Sequence, residues 1–441
     1  MMKLKDSEYL TLLEEIEPVK KHGKVVQVIG LTIEAQGPNA KLGELCLLYP
    51  SRFDPPIEAE VVGFKENKIM LMPLRDLAQV GPGCLVVATG VPLQIKVGPA
   101  ILGKILDGTG KPLDDNKLPK GLKKYSTNNT PPNPLKRPRI DKPLEVGVRA
   151  IDGLLTVGQG QRIGVFAGSG VGKSTLMGMI ARNTEADVNV IALIGERGRE
   201  VRDFIERDLG PEGLKNSVVI AATSDQAPMQ RIKGALTATA IAEYFRDQGK
   251  NVMLMMDSVT RFAMAQREVG LAVGEPPTSK GYTPSVFALL PRLLERSGTS
   301  SKGSITAFYT VLVDGDDMNE PIADAVRGIL DGHIVLDRKL AQKGQFPAIN
   351  IMASVSRIMN EVTTRDHQKA AIELKRLLAA HDSAEDLINI GAYKSGANKE
   401  IDEAIRAYPL IRNYLQQDIY EKAELTESVD RLTRQFGGAE T

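Results

Sequence analysis

Cysteine, histidine and aromatic residues are scarce in this chain of 441 residues. Two cysteines, Cys46 and Cys84, are present, and Phe, Tyr and Trp together make up 5% of the chain. Neither the cysteines nor the histidines have the spacing of a metal site, so we interpret the thiols as buried and apolar and the histidines as structural. The four histidines are His22, His333, His367 and His381. So few cysteines fit a reducing, cytoplasmic compartment.

A surplus of one charge and long apolar runs are also missing. Lys and Arg number 56 against 55 Asp and Glu, a net charge of +1, which does not favour a nucleic-acid-binding protein. No apolar run approaches the length of a membrane span. The first ten residues contain acids where a signal peptide needs an apolar core. Any contact with a membrane is therefore expected to be peripheral.

Changes of composition along the chain divide it into four predicted regions. Residues 1–18 are expected to form an amphipathic helix, which is either a docking helix or a frayed terminus. Short apolar runs separated by Gly-Pro turns predict a small all-β barrel or sandwich over 19–95, with few aromatics for stacking on bases. Residues 96–365 include a Pro-rich connector, 107–143, after which strands alternate with helices. Residues 366–441 have helical periodicity.

The alternation of strands and helices within 144–356 predicts an α/β fold, with a mostly parallel sheet and helices on both faces. In such a sheet ligands bind at the carboxyl ends of the strands. The candidate strands are Ile163–Ala167, Val188–Ile194, Val218–Ala222, Val252–Met256, Ile305–Leu312, Ile334–Leu336 and Ile349–Ala353.

Residues 167–174 read A-G-S-G-V-G-K-S between an apolar run and a helix-compatible run. Such a turn brings backbone N–H groups around an anion, and the helix N-terminus adds partial positive charge. Lys173 is expected to reach the β- and γ-phosphates and Ser174 to bind Mg²⁺. Ala167 replaces the usual first glycine. The alternative to a phosphate-binding loop is an ordinary glycine-rich turn that precedes Lys173 and Ser174. The predicted phosphate-binding residues are Ala167, Gly168, Ser169, Gly170, Val171, Gly172, Lys173, Ser174 and Thr175.

Two further predicted strands lead into acids at the same edge of the sheet. Asp257 is a candidate for the Mg²⁺ shell, through water, although many strands end in an Asp that serves as a cap. Glu196 is a candidate to polarise the attacking water, or else an acid at a helix start. Arg261 lies just beyond Asp257, either beside the phosphates or in a surface ion pair.

Four motifs follow one another along the chain: A-G-S-G-V-G-K-S (167–174), I-G-E-R-G-R-E (194–200), D-S-V-T-R-F-A-M-A-Q-R-E-V-G-L-A (257–272) and P-A-I-N-I-M-A-S-V-S (347–356). These motifs and their order resemble the rotary ATP synthase α/β family. The similarity covers nearly the whole chain. It implies a RecA-like P-loop NTPase core, an N-terminal small β-barrel and a C-terminal helical domain.

Within that family the chain is most similar to the type III secretion branch. A-Q-R-E-V-G-L-A-V-G-E-P-P (265–277) and V-D-G-D-D-M-N-E-P-I-A-D (313–324) resemble type III export ATPases. The segment 386–405 looks most like the flagellar members of the branch. The resemblance implies that Glu196 is the catalytic carboxylate and Arg261 a γ-phosphate contact.

The resemblance also implies functions for three residues outside these strands. Arg357, directly after the fourth motif, would reach into a neighbouring subunit's site as an arginine finger, with a structural arginine as the alternative. Phe346 and Tyr414 would contact adenine. A core position is an open alternative for Phe346 and the more favoured one for Tyr414.

The implied activity is Mg²⁺-dependent hydrolysis of ATP by a homohexameric ring that energises flagellar protein export from the cytoplasmic face of the membrane. Implied partners are flagellar export regulator and stalk proteins, chaperone–substrate complexes and the membrane export gate, without nucleic acid. The alternatives are the ATPase of a virulence injectisome, a non-catalytic nucleotide-binding ring subunit and an RNA-translocating ring helicase.

Overall fold

The chain divides after Leu93 into two compact units. The computed structural model describes residues 22–75, 79–114, 117–313, 315 and 317–437. The docking helix predicted at 1–18 lies outside these residues. No helix in the described part combines the length and the apolar character that a bilayer crossing requires.

The first unit contains a closed antiparallel barrel, in which neighbours follow the order β1-β2-β5-β4-β3-β6. Its strands are β1 His22–Ile29, β2 Thr32–Gln36, β3 Leu45–Tyr49, β4 Ile57–Lys65, β5 Lys68–Pro73 and β6 Leu85–Ala88. Inward-facing side chains such as Val25, Ile33, Leu48 and Leu71 form its core. Of the two predicted forms, barrel or sandwich, the chain therefore adopts the barrel.

The second unit is built around a large, mostly parallel sheet. The strands of this unit are β7 Gln94–Val97, β8 Ile105–Asp107, β9 Lys123–Ser126, β10 Pro143–Leu144, β11 Val157–Gly158, β12 Arg162–Ala167, β13 Val188–Ile194, β14 Ser217–Ala222, β15 Asn251–Asp257, β16 Gly298–Thr299, β17 Ser304–Leu312, β18 Gly332–Leu336 and β19 Ile349–Ser356. The sheet runs β19-β18-β12-β17-β15-β13-β14-β8, and β16 pairs with β17. The sheet strands pair in parallel except β19 and β16, which run antiparallel to β18 and β17.

Helices follow most of these strands. They are α1 Arg149–Leu154, α2 Lys173–Asn183, α3 Gly198–Asp203, α4 Gly210–Lys215, α5 Pro228–Asp247, α6 Val259–Ala272, α7 Pro284–Leu294, α8 Pro321–Ile329, α9 Arg338–Gln342, α10 Met359–Val362, α11 Arg365–Asn389, α12 Lys399–Leu415 and α13 Leu425–Phe436. A π-helical segment, Phe204–Leu209, joins α3 to α4, and single 3₁₀ turns lie at Pro99–Ile101, Pro134–Lys136 and Ser279–Gly281.

The central strands of the sheet are buried, as a parallel sheet covered by helices requires. Strands β12, β13 and β15 are buried along almost their whole length because helices cover both faces of the sheet. All seven candidate strands form, and the predicted α/β fold with a barrel and C-terminal helices is confirmed. In α11, Leu374 and Leu377 are buried in the core, whereas Ile372 is exposed.

Candidate nucleotide-binding site

The loop between β12 and α2 has the backbone geometry of a phosphate cradle. Gly170 and Gly172 have φ values of 78° and 91°, in the left-handed region that favours glycine. Ala167, by contrast, is the last residue of β12 and pairs with Leu312 and Leu336. A strand conformation accepts a Cβ, which explains why alanine is tolerated there.

A cavity of about 440 Å³ lies above this loop. All of the predicted loop residues except Val171 line it, together with Glu196 and Arg261. Glu200, which belongs to the 194–200 motif, and Ser224, which no sequence motif indicates, also line the cavity. The folded chain thus brings the ends of three predicted strands to one crevice.

Lys173 bridges two carboxylates at this edge of the sheet. Its Nζ donates to Asp257 Oδ1 at 2.5 Å and to Glu196 Oε1 at 3.2 Å. The Thr310 hydroxyl donates to the same oxygen of Asp257 at 2.7 Å. Burial alone would lower the pKa of Lys173, but the charges of Asp257 and Glu196 outweigh burial and raise it. The lysine therefore stays charged.

Glu196 titrates in an unusual range for a carboxyl group. Burial and the charge of Asp257 raise the pKa of Glu196 and Lys173 opposes them, and the net result is a pKa of about 7. A hydrogen bond to Glu200 stabilises protonated Glu196 and lowers the pKa of Glu200. A carboxylate that titrates near neutral pH is suited to accept a proton from water.

Arg261 reaches the cavity across a glycine. Gly195 has a φ of 73°, and a Cβ there would lie 2.7 Å from the Cβ of Arg261. The Nε of Arg261 is buried without a hydrogen-bond partner, and its Nη1 contacts Met264 Sδ at 3.6 Å. No ion pair to Arg261 occurs within the described ranges, so the predicted alternative of a surface ion pair is not formed.

The residues predicted to hold Mg²⁺ are chemically suited to it. The exposed Ser174 hydroxyl lies in the first turn of α2 and the Asp257 carboxylate at the end of β15, and oxygen atoms are the ligands that Mg²⁺ prefers. The described residues hold no group of three or more His, Cys, Asp or Glu side chains that could bind a metal. This donor set therefore fits an ion held mainly by water and substrate phosphates.

A second cavity, of about 170 Å³, adjoins the other side of the loop. Its walls are mainly apolar: Val171, Leu176, Met179, Leu336, Phe346, Pro347, Ala348 and Ile419. Phe346 is 47% exposed, and its Cδ1 lies 3.9 Å from where a Cβ of Gly172 would be. Phe346 is therefore not a core aromatic, and its ring is available at the cavity.

Tyr414 does not reach this cavity, which corrects its prediction as an adenine contact. Its side chain is fully buried in the core, and its hydroxyl donates to Ser428 O at 3.0 Å. Gln417 and Ile419, in the loop after α12, line the cavity instead. Neither residue is aromatic, and no sequence pattern singles either of them out as a wall of a base cavity.

Arg357 lies apart from both cavities. It follows edge strand β19, and its backbone N–H donates to Asp331 O at 3.0 Å. Its side chain is exposed and forms no ion pair with any other described residue. The structure therefore does not bring Arg357 to the loop of its own chain.

The chain matches three family models. The ATP synthase α/β family nucleotide-binding domain covers residues 147–356, and the β-barrel domain of the same family covers 25–90. The T3SS EscN ATPase C-terminal domain covers 363–434. Together these models extend over the barrel, the sheet and the C-terminal helices.

Individual proteins are similar over nearly the full length. The flagellum-specific ATP synthase of Bacillus subtilis (strain 168) is 61% identical over 99% of this chain and 100% of its own. The type 3 secretion system ATPase of Xanthomonas euvesicatoria is 50% identical over 94% of each. The assembled ATPase EscN of enteropathogenic E. coli is 48% identical, with a TM-score of 0.89 over 94% of this chain and 100% of that one. EscN in complex with its central stalk EscO has a TM-score of 0.86 at 47% identity, with the same coverage.

Proposed function

The chain belongs to the ATP synthase α/β family as an ATPase of its type III secretion branch, and on this premise we propose that it energises the export of flagellar proteins. The observation that carries the proposal is the 61% identity to a flagellum-specific ATP synthase over the whole chain. Arranged around the phosphate loop, Lys173, Glu196 and Asp257 supply the groups that hydrolysis needs.

The chemistry divides among the residues around the first cavity. The loop N–H groups and Lys173 bind the β- and γ-phosphates. Glu196 orients a water molecule and accepts its proton as the water oxygen bonds to the γ-phosphorus and the bond to the β–γ bridging oxygen breaks. Arg261 neutralises charge on the γ-phosphate. Mg²⁺, held by Ser174 and, through water, by Asp257, supplies further neutralisation when bound.

The base of ATP occupies the second cavity in this proposal. Its apolar walls and the half-exposed ring of Phe346 suit the flat face of an adenine. The cavity adjoins the phosphate loop through Val171, Gly172 and Thr175, so one nucleotide spans both cavities. In this proposal Phe346 contacts the adenine and Tyr414 does not.

Arg357 completes the site of a neighbouring subunit, so we propose a homohexamer. Its exposed guanidinium, which pairs with no carboxylate among the residues that the structure describes, does not line its own chain's cavity, which supports action in trans. A similar protein, EscN, has been solved assembled and with its central stalk. We infer equivalent stalk and regulator partners here, together with chaperone–substrate complexes and a membrane export gate, at the cytoplasmic face of the membrane.

The closest alternative is the ATPase of a virulence injectisome, supported by the 50% identity to the Xanthomonas protein. A genetic test separates the two. The gene should restore motility to a Bacillus subtilis strain lacking its flagellum-specific ATP synthase, and the Glu196→Gln variant should not. Failure of the wild-type gene to restore motility, at normal protein levels, contradicts the flagellar assignment.

Two other classes fit the site less well. A non-catalytic ring subunit has no need of the Glu196 carboxylate beside the phosphate loop. An RNA-translocating ring helicase needs a basic, aromatic surface for nucleic acid, and the barrel sequence offers few aromatics. Adding RNA should leave the ATPase rate unchanged, and a clear stimulation contradicts the export assignment.

A further inference from the structure

Gln417 is a buried amide whose hydrogen bonds tie three segments together. Its side chain is 6% exposed. Its Oε1 accepts from the backbone N–H of Arg149 at 2.8 Å, and its Nε2 donates to Gly147 O at 2.9 Å and to Glu421 O at 2.8 Å. One acceptor and two N–H donors of the amide are thus all used within the protein.

The backbone of the same residue holds the aromatic wall of the base cavity. The N–H of Gln417 donates to Phe346 O at 3.0 Å. Two residues further on, Ile419 forms another part of that wall, and Arg182 donates to its carbonyl at 2.7 Å. Gln417 therefore lies where the 416–424 loop, which joins α12 to α13, meets both Phe346 and the segment before α1.

We propose that Gln417 is a positioning residue for nucleotide binding, which rests on the assignment of the second cavity to the base. Its amide docks the 416–424 loop on residues 147–149, and this docking holds Ile419 and Phe346 in the wall of the base cavity. Since its side-chain hydrogen-bonding groups are already engaged, Gln417 acts through these two walls rather than by bonding the base.

Gln417 also connects the C-terminal helices to the base cavity. Helix α12 ends at Leu415, two residues before Gln417. Arg149 binds this junction as well, because its Nη1 donates to Gln416 O at 2.9 Å and its Nη2 pairs with Glu421. The end of α12 is therefore connected to the base cavity through Gln417.

The test measures the binding of ADP and of inorganic pyrophosphate to the full chain with Mg²⁺ by calorimetry. Both ligands carry two phosphates, but only ADP carries a base. The Gln417→Met variant keeps the side-chain length and loses its three hydrogen bonds. We expect it to weaken ADP binding about tenfold, the effect of about one net hydrogen bond, and to change pyrophosphate binding less than twofold. In turnover assays, KM for ATP should rise by more than kcat falls.

A neighbouring glutamine provides the matched control. Gln416 is less buried, and its side chain donates one longer hydrogen bond, to Gly344 O at 3.3 Å. Gln416→Met should leave both affinities within twofold of wild type. If Gln417→Met does not fold, Gln417→Glu keeps the bond from Arg149, loses the two donated bonds and should show the same selective loss.

The possible results separate this inference from the proposed function. Equal weakening of ADP and pyrophosphate, or unchanged ADP binding in the Gln417 variant, overturns the positioning role. If wild-type protein binds ADP no more tightly than pyrophosphate, the assignment of the second cavity to the base fails instead.

Discussion

Glu196 is the single residue on which the proposed hydrolysis depends most. Its carboxylate accepts a hydrogen bond from Lys173, so the charged form is positioned as well as basic. A general base at this position contributes only in its charged form, because the protonated acid cannot accept the proton of the attacking water.

Replacing this carboxylate tests its function directly. Glu196→Gln should reduce kcat by about 10²–10⁴-fold, the usual contribution of a general base, while ATP binding is retained because Lys173 and the loop are intact. Steady-state ATPase assays and nucleotide titrations measure the two quantities. The control is Glu212→Gln, at an exposed glutamate of α4, which should behave as wild type. Full activity in Glu196→Gln refutes the assigned function.

The raised pKa of Glu196 predicts an acid limit to activity. Below a pKa of about 7 the charged fraction of a carboxyl group falls roughly tenfold for each pH unit. The value of kcat/KM, which reports the free enzyme, should therefore decline as the pH falls through about 7 and level off above it. A profile that stays flat from pH 8 to pH 5.5 contradicts Glu196 as the base.

Single residues differ in how far the sequence predicts them. Lys173 and Ser174 belong to a motif of fixed spacing, and Glu196 and Asp257 lie where predicted strands end. The sequence alone left the position of Tyr414 open, because the burial of a helical side chain depends on which face of α12 packs against the core. The hydroxyl of Thr310 reaches Asp257 from a strand 53 positions later, a contact that spacing does not reveal.

At the scale of elements, the Pro-rich connector is anchored by a buried ion pair. Arg296 and Glu243 are 3% and 1% exposed, with a shortest separation of 2.7 Å. Arg296 also donates to Thr127 O at 2.9 Å, and Asn129 donates to Glu243 at 2.7 Å. The connector therefore folds against α5 although its composition suggests little regular structure.

Breaking this pair should destabilise the second unit. Glu243→Gln leaves the charge of Arg296 buried and unpaired, and we expect a loss of about 3–5 kcal/mol in the free energy of unfolding. Urea denaturation gives the midpoint. The control Glu206→Gln, at the exposed pair with Arg202, should cost less than about 1 kcal/mol. Similar midpoints for the two variants argue against the anchoring function.

Elements with a continuous apolar run were predictable, and the short ones were not. Buried parallel strands such as β13 and β15 have apolar residues at nearly every position, so a nearly continuous apolar run in the sequence predicts them. The three-residue β8 and the β7–β9 pair lie in and beside the connector, and their pairing depends on contacts with distant segments. The domain limits at 19–95, 96–365 and 366–441 remain predictions.

For the whole molecule, the proposal that Arg357 acts on the site of a neighbouring subunit makes activity depend on assembly. Arg357→Ala should keep nucleotide binding and lose roughly 10³–10⁵-fold in hydrolysis, the contribution of an arginine finger. Mixing this variant with Lys173→Ala should partly restore the ATPase rate, because a mixed ring contains sites with one intact lysine and one intact finger. The absence of any restoration in rings shown to be mixed contradicts the trans assignment.

Lys173 serves as the local counter-ion of Glu196 and Asp257, in addition to its proposed contact with the phosphates. Replacing it with alanine leaves two carboxylates facing each other, and one of them is then driven to take up a proton. A Lys173→Ala enzyme is thus altered in the acidity of its site as well as in phosphate affinity. Lost activity in such a variant reports both changes together, and only a binding measurement across pH separates them.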